Sequence, residues 1–263
     1  MPHLYTHAGM NLYEADFLDA VLSLGVVPGD ILFVHSDIRV FGKSNIHALQ
    51  NLPSAFVRIL KESVGEKGVV IMPTFTYQFC KTGVFDIQKS PSEVGSLSEF
   101  FRTQLGAVRS RHPIFSVAAW GNDVKDILTT NNDSFGKGTI FDTLLLRNAK
   151  IILLGVSLRE CTFMHYIEQM HAVPYRFLKT FHGIVKDHGR EEEGDFTYFV
   201  RPLDGSVEND MTKLEPVLRE KTLLHEARVG GASVASVAVA DLFSTGMAAL
   251  DADPYFLLTK PAV

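Results

Sequence analysis

Thr162, His165 and Glu168 recur at intervals of three residues and carry a hydroxyl, an imidazole and a carboxylate. They follow the apolar run Ile151–Val156, which indicates a buried strand. Because threonine often caps helices, a helix beginning at Thr162 would place all three side chains on one face. Open α/β sheets usually place their chemistry at such a strand end. An imidazole oriented by a carboxylate is a general base near neutral pH, so the segment predicts proton-transfer chemistry.

Two alternatives stay open for His165. A lone histidine on a helix is more often a surface or capping residue, although this helix directly follows a buried strand and is otherwise largely apolar. A metal site is less favoured, because His165 and His171 lie six residues apart, on different helix faces. The chain also has no His-Glu-x-x-His motif.

Three other segments have residue types that bind phosphates, hydroxyls or amines. Arg109–His112 joins two guanidinium groups, which bind phosphate in bidentate fashion, to a hydroxyl and an imidazole. The turn His35–Arg39 follows a predicted strand and could hold a pyrophosphate through Ser36 and backbone N–H groups. The acidic run Glu191–Asp195 could attract an amine. Each segment is also compatible with an ordinary solvated turn.

Predicted strands and helices alternate along the first two thirds of the chain and would position these residues. A β-hairpin with an acidic turn at 188–195 follows, and this order predicts an α/β sandwich with a mixed sheet. The predicted strands are Ile31–Val34, Val69–Met72, Phe115–Trp120, Ile151–Val156, Phe177–Lys186, Phe196–Pro202 and Leu223–Val229. The predicted helices are Glu14–Leu24, Leu49–Val64, Val94–Leu105, Thr139–Leu146, Thr162–Met170 and Ser233–Leu250.

Composition restricts the class of protein. The 263 residues, 46% of them hydrophobic, suit a single domain over 1–263, with a β-hairpin-rich insertion around 175–222. A net charge of -5 argues against a nucleic-acid partner. Two cysteines, no signal peptide and apolar runs of only strand length favour a cytoplasmic protein without a membrane partner. The last helix could pair two subunits as a homodimer, but a core helix has the same pattern.

No signature of several common enzyme classes is present. The chain lacks a Gly-x-Ser-x-Gly elbow, a P-loop and a Gly-x-Gly-x-x-Gly motif after a strand. Serine hydrolases, P-loop kinases and Rossmann oxidoreductases are therefore disfavoured.

An ordered set of motifs over roughly residues 10 to 245 resembles the aminoglycoside 3-N-acetyltransferase family, also called the antibiotic N-acetyltransferase family. The most specific stretch is Gly106–Pro113, and no single segment would be sufficient. The matching residues are His35-Ser36 with Gly42, Gly68 with Met72–Thr76, Phe85-Asp86, Ser90–Ser92, Val94-Gly95, Glu99 with Phe101-Arg102, Gly106–Pro113 with Ser116, Ala118, Ala119 and Gly121, Leu153–Val156, Thr162, His165 and Glu168.

The resemblance implies transfer of an acetyl group from acetyl-CoA to an amine of an aminoglycoside or related aminosugar, without a metal. It implies the antibiotic N-acetyltransferase type of α/β fold, which is not GCN5-like. His165 resembles the family's catalytic base and Glu168 the residue that orients it, and Thr162 could donate to the oxyanion. The expected CoA contacts are His35, Ser36, Thr74, Thr76, Arg109 and Ser110, and the expected acceptor contacts are Tyr77, Asp86 and Glu193.

The acceptor stays open at this point. Residues Gly136–Ile140 depart from the family pattern, and Val173–Lys179 with Thr197–Arg201 look more like members associated with surface-polysaccharide or secondary-metabolite synthesis. The acidic run favours a cationic acceptor, whereas Arg176, Lys179 and Arg201 would favour a nucleotide sugar or another anionic one. N- or O-acetylation of such a sugar and non-catalytic binding of CoA or sugar are the alternatives, and resistance is not implied by the pattern.

Overall fold

A computed structural model describes residues 3–46 and 51–259 of the chain. The predicted helix start at Leu49 therefore lies outside the described residues, as do the first two residues of the predicted domain and its last four. Numbered in chain order, the strands are β1 Tyr5–His7, β2 Met10–Leu12, β3 Ile31–Ser36, β4 Lys43–Ser44, β5 Val69–Pro73, β6 Val84–Asp86, β7 Val108–Arg109, β8 Val117–Gly121, β9 Lys150–Leu154, β10 Phe177–Asp187, β11 Arg190–Val200, β12 His225–Val229 and β13 Ala232–Ala238. The helices are α1 Glu14–Ser23, α2 Leu52–Val64, α3 Phe79–Thr82, α4 Ser96–Arg102, α5 Val124–Ile127, α6 Ile140–Leu146, α7 Phe163–His171, α8 Leu214–Glu220 and α9 Val239–Ala252.

A seven-stranded mixed sheet forms the centre of the molecule, in the order β12-β13-β9-β3-β5-β8-β7. The three central strands, β9, β3 and β5, run parallel to one another. The flanking pairs β13–β9 and β5–β8 are antiparallel. The predicted mixed α/β architecture is therefore confirmed, and the carboxyl ends of the three parallel strands meet at one edge of the sheet.

Each central strand contributes side chains to both faces of the sheet, because successive residues of a strand point in opposite directions. On β3, Leu32 and Val34 join an apolar layer with α1, α2 and α4. Phe33 joins the opposite layer, which contains residues of α6, α7, α8 and α9 and of the β10–β11 hairpin. Two cores on the two faces make the molecule a three-layer sandwich.

The hairpin differs from its prediction in where it turns. The turn consists of His188 and Gly189 alone, with φ of 46° and 82°, as a two-residue hairpin of this kind requires. The acidic residues Glu191–Asp195 consequently lie inside β11, paired with β10, and not at the tip. β10 also pairs in parallel with β6, so the hairpin belongs to a separate three-stranded sheet.

The predicted helix Ser233–Leu250 is wrong over its first six residues. These residues belong to β13, which lies between β9 and β12 and pairs with both. Two neighbouring strands supply a complete hydrogen-bond ladder, and the β-branched Val234 and Val237 fit a buried pleated surface. Helical structure begins only at Val239.

Helix α9 is a core helix. Its buried residues include Leu242 and Leu250, which pack into the same apolar layer as α7 and α8. The apolar residues of α9 that could have formed a subunit contact are thus buried within the chain. A homodimer stays a prediction. None of the helices within residues 3–46 and 51–259 has the length and apolar character needed to cross a bilayer.

The loop 207–211 is held by the last described residues of the chain. Asp210 N–H donates to Leu257 O at 2.7 Å, and Thr259 N–H donates to Glu208 O at 2.9 Å. Asn209 and Leu258 form an isolated antiparallel bridge between these two hydrogen bonds. The backbone of Asn209 is therefore fixed from both sides.

Candidate active site

A cleft of about 520 Å³ opens where the carboxyl ends of β3, β5 and β9 meet. This is the edge at which open α/β sheets bind their ligands. The cleft is lined by His35, Ser36, Pro73, Phe75, Tyr77, Val94, Val156, Arg159, Glu160, Cys161, Thr162, His165, Arg176, Tyr198, Arg201, Glu208, Asn209 and Met211.

A glycine lets the chain turn into this cleft after β9. Gly155 has φ of 72°, and a Cβ at this position would lie 2.5 Å from the carbonyl oxygen of Asp37. Only glycine tolerates both the left-handed backbone and the close approach. The turn from β9 can therefore pass the end of β3 and bring the start of α7 to the cleft.

The predicted face of α7 brings His165 and Glu168 into direct contact. His165 Nδ1 lies 2.6 Å from Glu168 Oε2, the distance of a strong hydrogen bond to a carboxylate. Since an ionised carboxylate only accepts, the proton is assigned to Nδ1. No residue in the described part of the chain hydrogen-bonds Nε2, and the side chain is 26% exposed where it lines the cleft. The lone pair of Nε2 is thus available to a bound ligand.

The Glu168 carboxylate has no exposed surface and is bound by four groups. Besides His165, Oε2 lies 2.9 Å from Arg176 Nε. Oε1 accepts hydrogen bonds from the Tyr175 hydroxyl at 3.0 Å and from Asn209 Nδ2 at 2.8 Å. Both carboxylate oxygens are therefore engaged within the protein, Oε1 by two hydrogen bonds and Oε2 by His165 and the charge of Arg176.

Burial and neighbouring charges set the ionisation of this pair. Burial is the largest influence on the pKa of His165 and lowers it, the charge of Arg176 lowers it further, and Glu168 acts in the opposite direction. Burial alone would raise the pKa of Glu168, but the hydrogen bond from His165 and the charge of Arg176 outweigh it, and the pKa is lowered. At neutral pH the site accordingly holds a neutral imidazole beside an ionised carboxylate.

Thr162 occupies the N-cap position of α7, as predicted, but its side chain makes no capping hydrogen bond. Within the described residues its hydroxyl has no hydrogen-bond partner, and Thr162 lines the cleft one turn before His165. The hydroxyl is thus free to donate to a ligand. The neighbouring Cys161 is buried, which raises the pKa of its thiol to about 12, so it is a poor nucleophile.

The extended segment after β5 alternates between the cleft and the interior. Pro73, Phe75 and Tyr77 line the cleft, whereas Thr74 and Thr76 are buried behind it. The predicted CoA contacts Thr74 and Thr76 are therefore not brought to the cleft wall, because their side chains point to the opposite side of the segment.

The side chain of Arg109 also lies behind the cleft and forms its hydrogen bonds within the protein. Its Nε donates to the hydroxyls of Thr74 and Ser116, Nη1 to the carbonyl oxygens of Ile87 and Ser90, and Nη2 to the carbonyl oxygen of Thr74 and the hydroxyl of Thr76. All five N–H donors have acceptors within the protein. The sequence suggested that Arg109 binds phosphate, but its guanidinium group is instead the centre of a buried hydrogen-bond network. Burial lowers the pKa of Arg109 to about 10.

The other predicted site residues divide between the cleft and the surface. His35, Ser36 and Tyr77 line the cleft. Ser110 is buried and its hydroxyl accepts a hydrogen bond from Val117 N–H at 2.9 Å. Asp86 binds the backbone N–H groups of its own turn, and Glu193 is an exposed strand residue that contacts His182. Neither carboxylate lines the cleft.

His35 is deeply buried at the end of β3 and lies edge-on against Phe33, with ring centroids 4.6 Å apart. Burial lowers its pKa to about 3, so the ring is neutral. Ser36 follows it, and its hydroxyl has no hydrogen-bond partner among the described residues. Asp37 N–H already donates to Leu154 O at 2.9 Å, so this turn offers a hydroxyl to a ligand and not a full set of N–H groups.

Sequence reasoning missed the partners that make Glu168 a hub. Tyr175 and Arg176 follow α7 closely, and a tyrosine–arginine pair just after a helix with a carboxylate was the available signal. Asn209 lies 41 residues from Glu168 and had no local signal. Arg176, expected from the sequence to contact an anionic acceptor, is placed on Glu168 by the structure.

A shallower groove of about 510 Å³ continues from the cleft along Gly155–Glu160 to Arg228 and Gly231. It shares Val156, Arg159 and Glu160 with the cleft. Within the described residues, neither Arg159 nor Arg228 has an ion-pair partner. Among all the residues that the structure describes, no group of three or more histidine, cysteine, aspartate or glutamate side chains could hold a metal ion.

Comparison with known proteins places the chain beside one family of enzymes. The family model described as aminoglycoside 3-N-acetyltransferase matches residues 33–251. The aminoglycoside N(3)-acetyltransferase IV of Salmonella sp. is 26% identical over 261 residues, which cover 94% of this chain and 91% of that protein. The aminoglycoside N(3)-acetyltransferase IX of Micromonospora chalcea is 22% identical over 87% of this chain and 90% of its own length.

Solved structures show the same fold. A histidine-to-alanine variant of the aminoglycoside acetyltransferase AAC(3)-IVa, in complex with a gentamicin, superposes with a TM-score of 0.80, 24% identity and coverage of 99% of this chain and 94% of that one. The binary complex of AAC-IIIb with CoASH has a TM-score of 0.80 and 20% identity, over 91% of this chain and 96% of that one.

Proposed function

This chain belongs to the aminoglycoside 3-N-acetyltransferase family, and we propose that it transfers the acetyl group of acetyl-CoA to an amine of an aminoglycoside or related aminosugar. The observation that carries the proposal is the neutral His165, held by the ionised Glu168, with Nε2 open to a cleft. An acyltransferase acting on an amine requires such a base at the point where two substrates meet.

The reaction begins with the attack of an uncharged amine on the thioester carbonyl carbon. His165 Nε2 takes the N–H proton as the C–N bond forms, and the Thr162 hydroxyl donates to the oxygen that becomes negative. The C–S bond then breaks, and the proton on His165 passes to the departing thiolate, which leaves as the CoA thiol. Proton transfer of this kind contributes roughly 10²–10⁴-fold to the rate.

The lining of the cleft supports binding of a CoA thioester. Pro73, Phe75, Val94 and Val156 offer an apolar wall suited to the alkyl parts of the pantetheine arm, and the Ser36 hydroxyl offers a polar contact. Phosphates require cations, and the two arginines without ion-pair partners on the adjoining groove, Arg159 and Arg228, are in reach of a long molecule that leaves the cleft there. They take the role that the sequence suggested for Arg109.

The carboxylates on the cleft wall support a cationic acceptor. Glu160 and Glu208 both line it, and neither forms an ion pair with a described basic residue. Ammonium groups of an aminosugar are attracted to such carboxylates, and one amine must lose its charge before it can attack.

A second candidate acceptor is an aminosugar that also carries an anionic group. Arg201 lines the same cleft, and its Nη1 is fixed by the carbonyl oxygens of Pro202 and Val207 at 3.2 and 3.0 Å. Its remaining N–H groups have no hydrogen-bond partner within the described residues, so a phosphate or carboxylate of the acceptor would fit there.

The proposal is tested by measuring release of the CoA thiol from acetyl-CoA with panels of aminoglycosides, neutral aminosugars and nucleotide aminosugars, followed by mass spectrometry of the products. We expect thiol release with at least one amine and a product heavier by one acetyl group. Absence of acceptor-dependent thiol release throughout would favour a binding protein over an enzyme. A product acetylated on oxygen would replace the N-acetyl proposal by the O-acetyl one.

His165→Ala provides the residue test of the same proposal. We expect acetyl-CoA to bind with unchanged affinity in calorimetry while kcat falls by roughly 10²–10⁴-fold, because only proton transfer is lost. His182→Ala, at an exposed histidine on the hairpin, is the matched control and should retain kcat. Turnover near that of the unmodified enzyme in His165→Ala would refute the assigned base.

We further propose a cytoplasmic location. The two cysteines, Cys80 and Cys161, are both free thiols, as is usual in a reducing compartment.

A further inference from the structure

Arg176 is a buried cation in contact with both members of the catalytic pair. Its side chain is 2% exposed. Nε lies 2.9 Å from Glu168 Oε2, and Nη2 lies 3.2 Å from His165 Nδ1. Nη2 also donates to Asn209 Oδ1 at 3.1 Å, and Nη1 donates to the carbonyl oxygen of Phe199 at 3.2 Å. The guanidinium thus joins α7, the end of β11 and the loop 207–211.

These contacts argue against a role in holding an anionic acceptor. Each of the three guanidinium nitrogens faces a protein atom, and the side chain reaches the cleft with almost no exposed surface. A residue that binds a phosphate presents free N–H groups to it, as Arg201 does in the same cleft. Any effect of Arg176 on the reaction must therefore pass through Glu168 and His165.

We propose that Arg176 is a positioning residue for the acetyl transfer proposed above: it fixes Glu168 and prevents His165 from keeping the proton that it takes from the acceptor amine. The inference rests on the proposed function for its chemistry and on the contacts of Arg176 for its geometry. The proton moves from the amine nitrogen to His165 Nε2, and from there to the sulfur of the departing CoA thiolate. Arg176 forms no bond to either substrate.

The charge balance of the buried cluster explains this role. With Arg176 present, the cluster of Glu168, Arg176 and neutral His165 has no net charge, and it becomes cationic when His165 accepts a proton. Without Arg176, the pair starts with one negative charge that the proton would neutralise, so the proton would be held more tightly. A more acidic imidazolium is the better donor to a leaving thiolate.

The surrounding groups leave Arg176 as the main positive neighbour of His165. Arg201, which also lines the cleft, lowers the pKa of His165 by a smaller amount, and Glu168 on the same helix opposes both. The Tyr175 hydroxyl donates to Glu168, and Tyr198 of β11 lines the cleft together with Arg159, Glu160 and Glu208.

The test measures the titration of His165 directly, by NMR of its Cε1–H in the unmodified protein, Arg176→Gln and Arg176→Lys. The resonance is assigned by its absence in His165→Ala. We expect the midpoint in Arg176→Gln to rise by roughly one pH unit, as follows from removing a nearby like charge. Arg176→Lys keeps the charge and should keep the midpoint close to that of the unmodified protein.

Kinetics supply the second readout. In Arg176→Gln the acid limb of kcat/KM should move to higher pH with the NMR midpoint, and kcat at neutral pH should fall roughly tenfold or more, because the pair is no longer fixed. KM for both substrates should stay within about twofold, a change of about 0.4 kcal/mol at most in binding. Arg176→Lys should restore part of kcat.

Arg102→Gln is the matched control, because Arg102 is also a largely buried arginine in an ion pair, with the partly exposed Glu99, on another part of the chain. It should lose stability without moving the His165 midpoint. An unchanged midpoint in Arg176→Gln, or a raised acceptor KM with unchanged kcat, would overturn the proposal. Arg176→Met, of similar length and uncharged, replaces the glutamine variant if that variant does not fold.

The NMR titration needs no substrate. If the unmodified protein releases no thiol with any acceptor, the proposed function fails, whereas the effect of Arg176 on His165 is still decided by the titration.

Discussion

Three hydrogen-bond donors and one guanidinium charge, from three chain segments, converge on the single carboxylate of Glu168. This residue has no exposed surface and is the only anion in contact with Arg176 among the described residues. A buried ion pair adds little stability compared with an apolar pair, but removing one partner leaves the other charge buried and uncompensated. The stability of the site and the proton acceptance proposed for His165 consequently depend on the same residue.

Glu168→Gln should lower the free energy of unfolding by about 3–5 kcal/mol at pH 7.5, because Arg176 loses its counter-ion and the amide NH₂ meets other donors. The hydrogen bond from His165 and the charge of Arg176 outweigh the effect of burial and hold the pKa of Glu168 below its unfolded value of 4.5, so its stabilising effect is complete above that pH and is lost as the pH falls further. Urea unfolding at pH 7.5 measures the loss.

Glu226→Gln is the control for this measurement. Glu226 pairs with Arg219 on the surface, where about a third or more of each side chain is exposed, so its loss should cost less than about 1 kcal/mol. Equal losses in the two variants would contradict the buried-pair interpretation of Glu168.

At the residue scale, local spacing predicted contacts on one helix but not contacts across the molecule. The interval of three residues between His165 and Glu168 is enough to place them on one face, and the 2.6 Å contact confirms it. Which side of the segment after β5 would face the cleft is decided by packing, and Thr74 and Thr76 face away. The pairing of Arg109 with both threonines depends on strands brought together only by folding.

Two turns next to the elements that surround the site depend on a glycine. Gly155, after β9, has a positive φ and a carbonyl oxygen where a Cβ would lie. Gly189, in the β10–β11 turn, has φ of 82° and open space around it. Both positions thus require a positive φ, but only Gly155 lacks space for a Cβ.

Gly189→Ala should cost about 1–2 kcal/mol of unfolding free energy, the usual cost of a left-handed alanine. Gly155→Ala should cost distinctly more and should also lower kcat/KM, because the turn must move away from Asp37 and carry the start of α7 with it. Urea unfolding and thiol-release assays on both variants check this. Similar losses in the two would show that the contact with Asp37 relaxes without cost.

At the element scale, periodicity predicted the parallel core strands well, because they are short, continuous and apolar. It did not predict β13, whose alternation of alanine, serine and valine is equally compatible with a helix. The strand forms because β12, its neighbour in the sequence, and β9, which is distant in the sequence, pair with its two edges. Single-sequence patterns contain no information on such long-range pairing.

Across the whole molecule, burial of neutral histidines makes stability depend on pH. Burial lowers the pKa of His112 to about 4, and its Nδ1 accepts a hydrogen bond from Phe115 N–H at 3.1 Å. Burial also lowers the pKa of His35 to about 3. Both values lie below the unfolded value of 6.5, so the unfolded chain takes up protons first as the pH falls.

The free energy of unfolding should therefore be nearly constant above pH 6.5 and should fall between pH 6.5 and 4, by about 1.4 kcal/mol per pH unit for each such histidine. The amide oxygen of asparagine can replace Nδ1 as acceptor in His112→Asn. This variant should therefore lose the part of the pH dependence of the unfolding free energy that comes from His112. Urea unfolding at several pH values tests it, and an unchanged slope in the variant would exclude His112 as a source.

The clamp between residues 257–259 and the loop 207–211 has a consequence for how the enzyme is made. Asn209, which supports Glu168, is held in place by backbone hydrogen bonds to residues about 50 positions later. During synthesis the parallel strands β3, β5 and β9 and helix α7 leave the ribosome well before those residues do. The nascent chain can thus form this part of the core early, while the contacts of Glu168 are completed only after Leu257–Thr259 have emerged and docked.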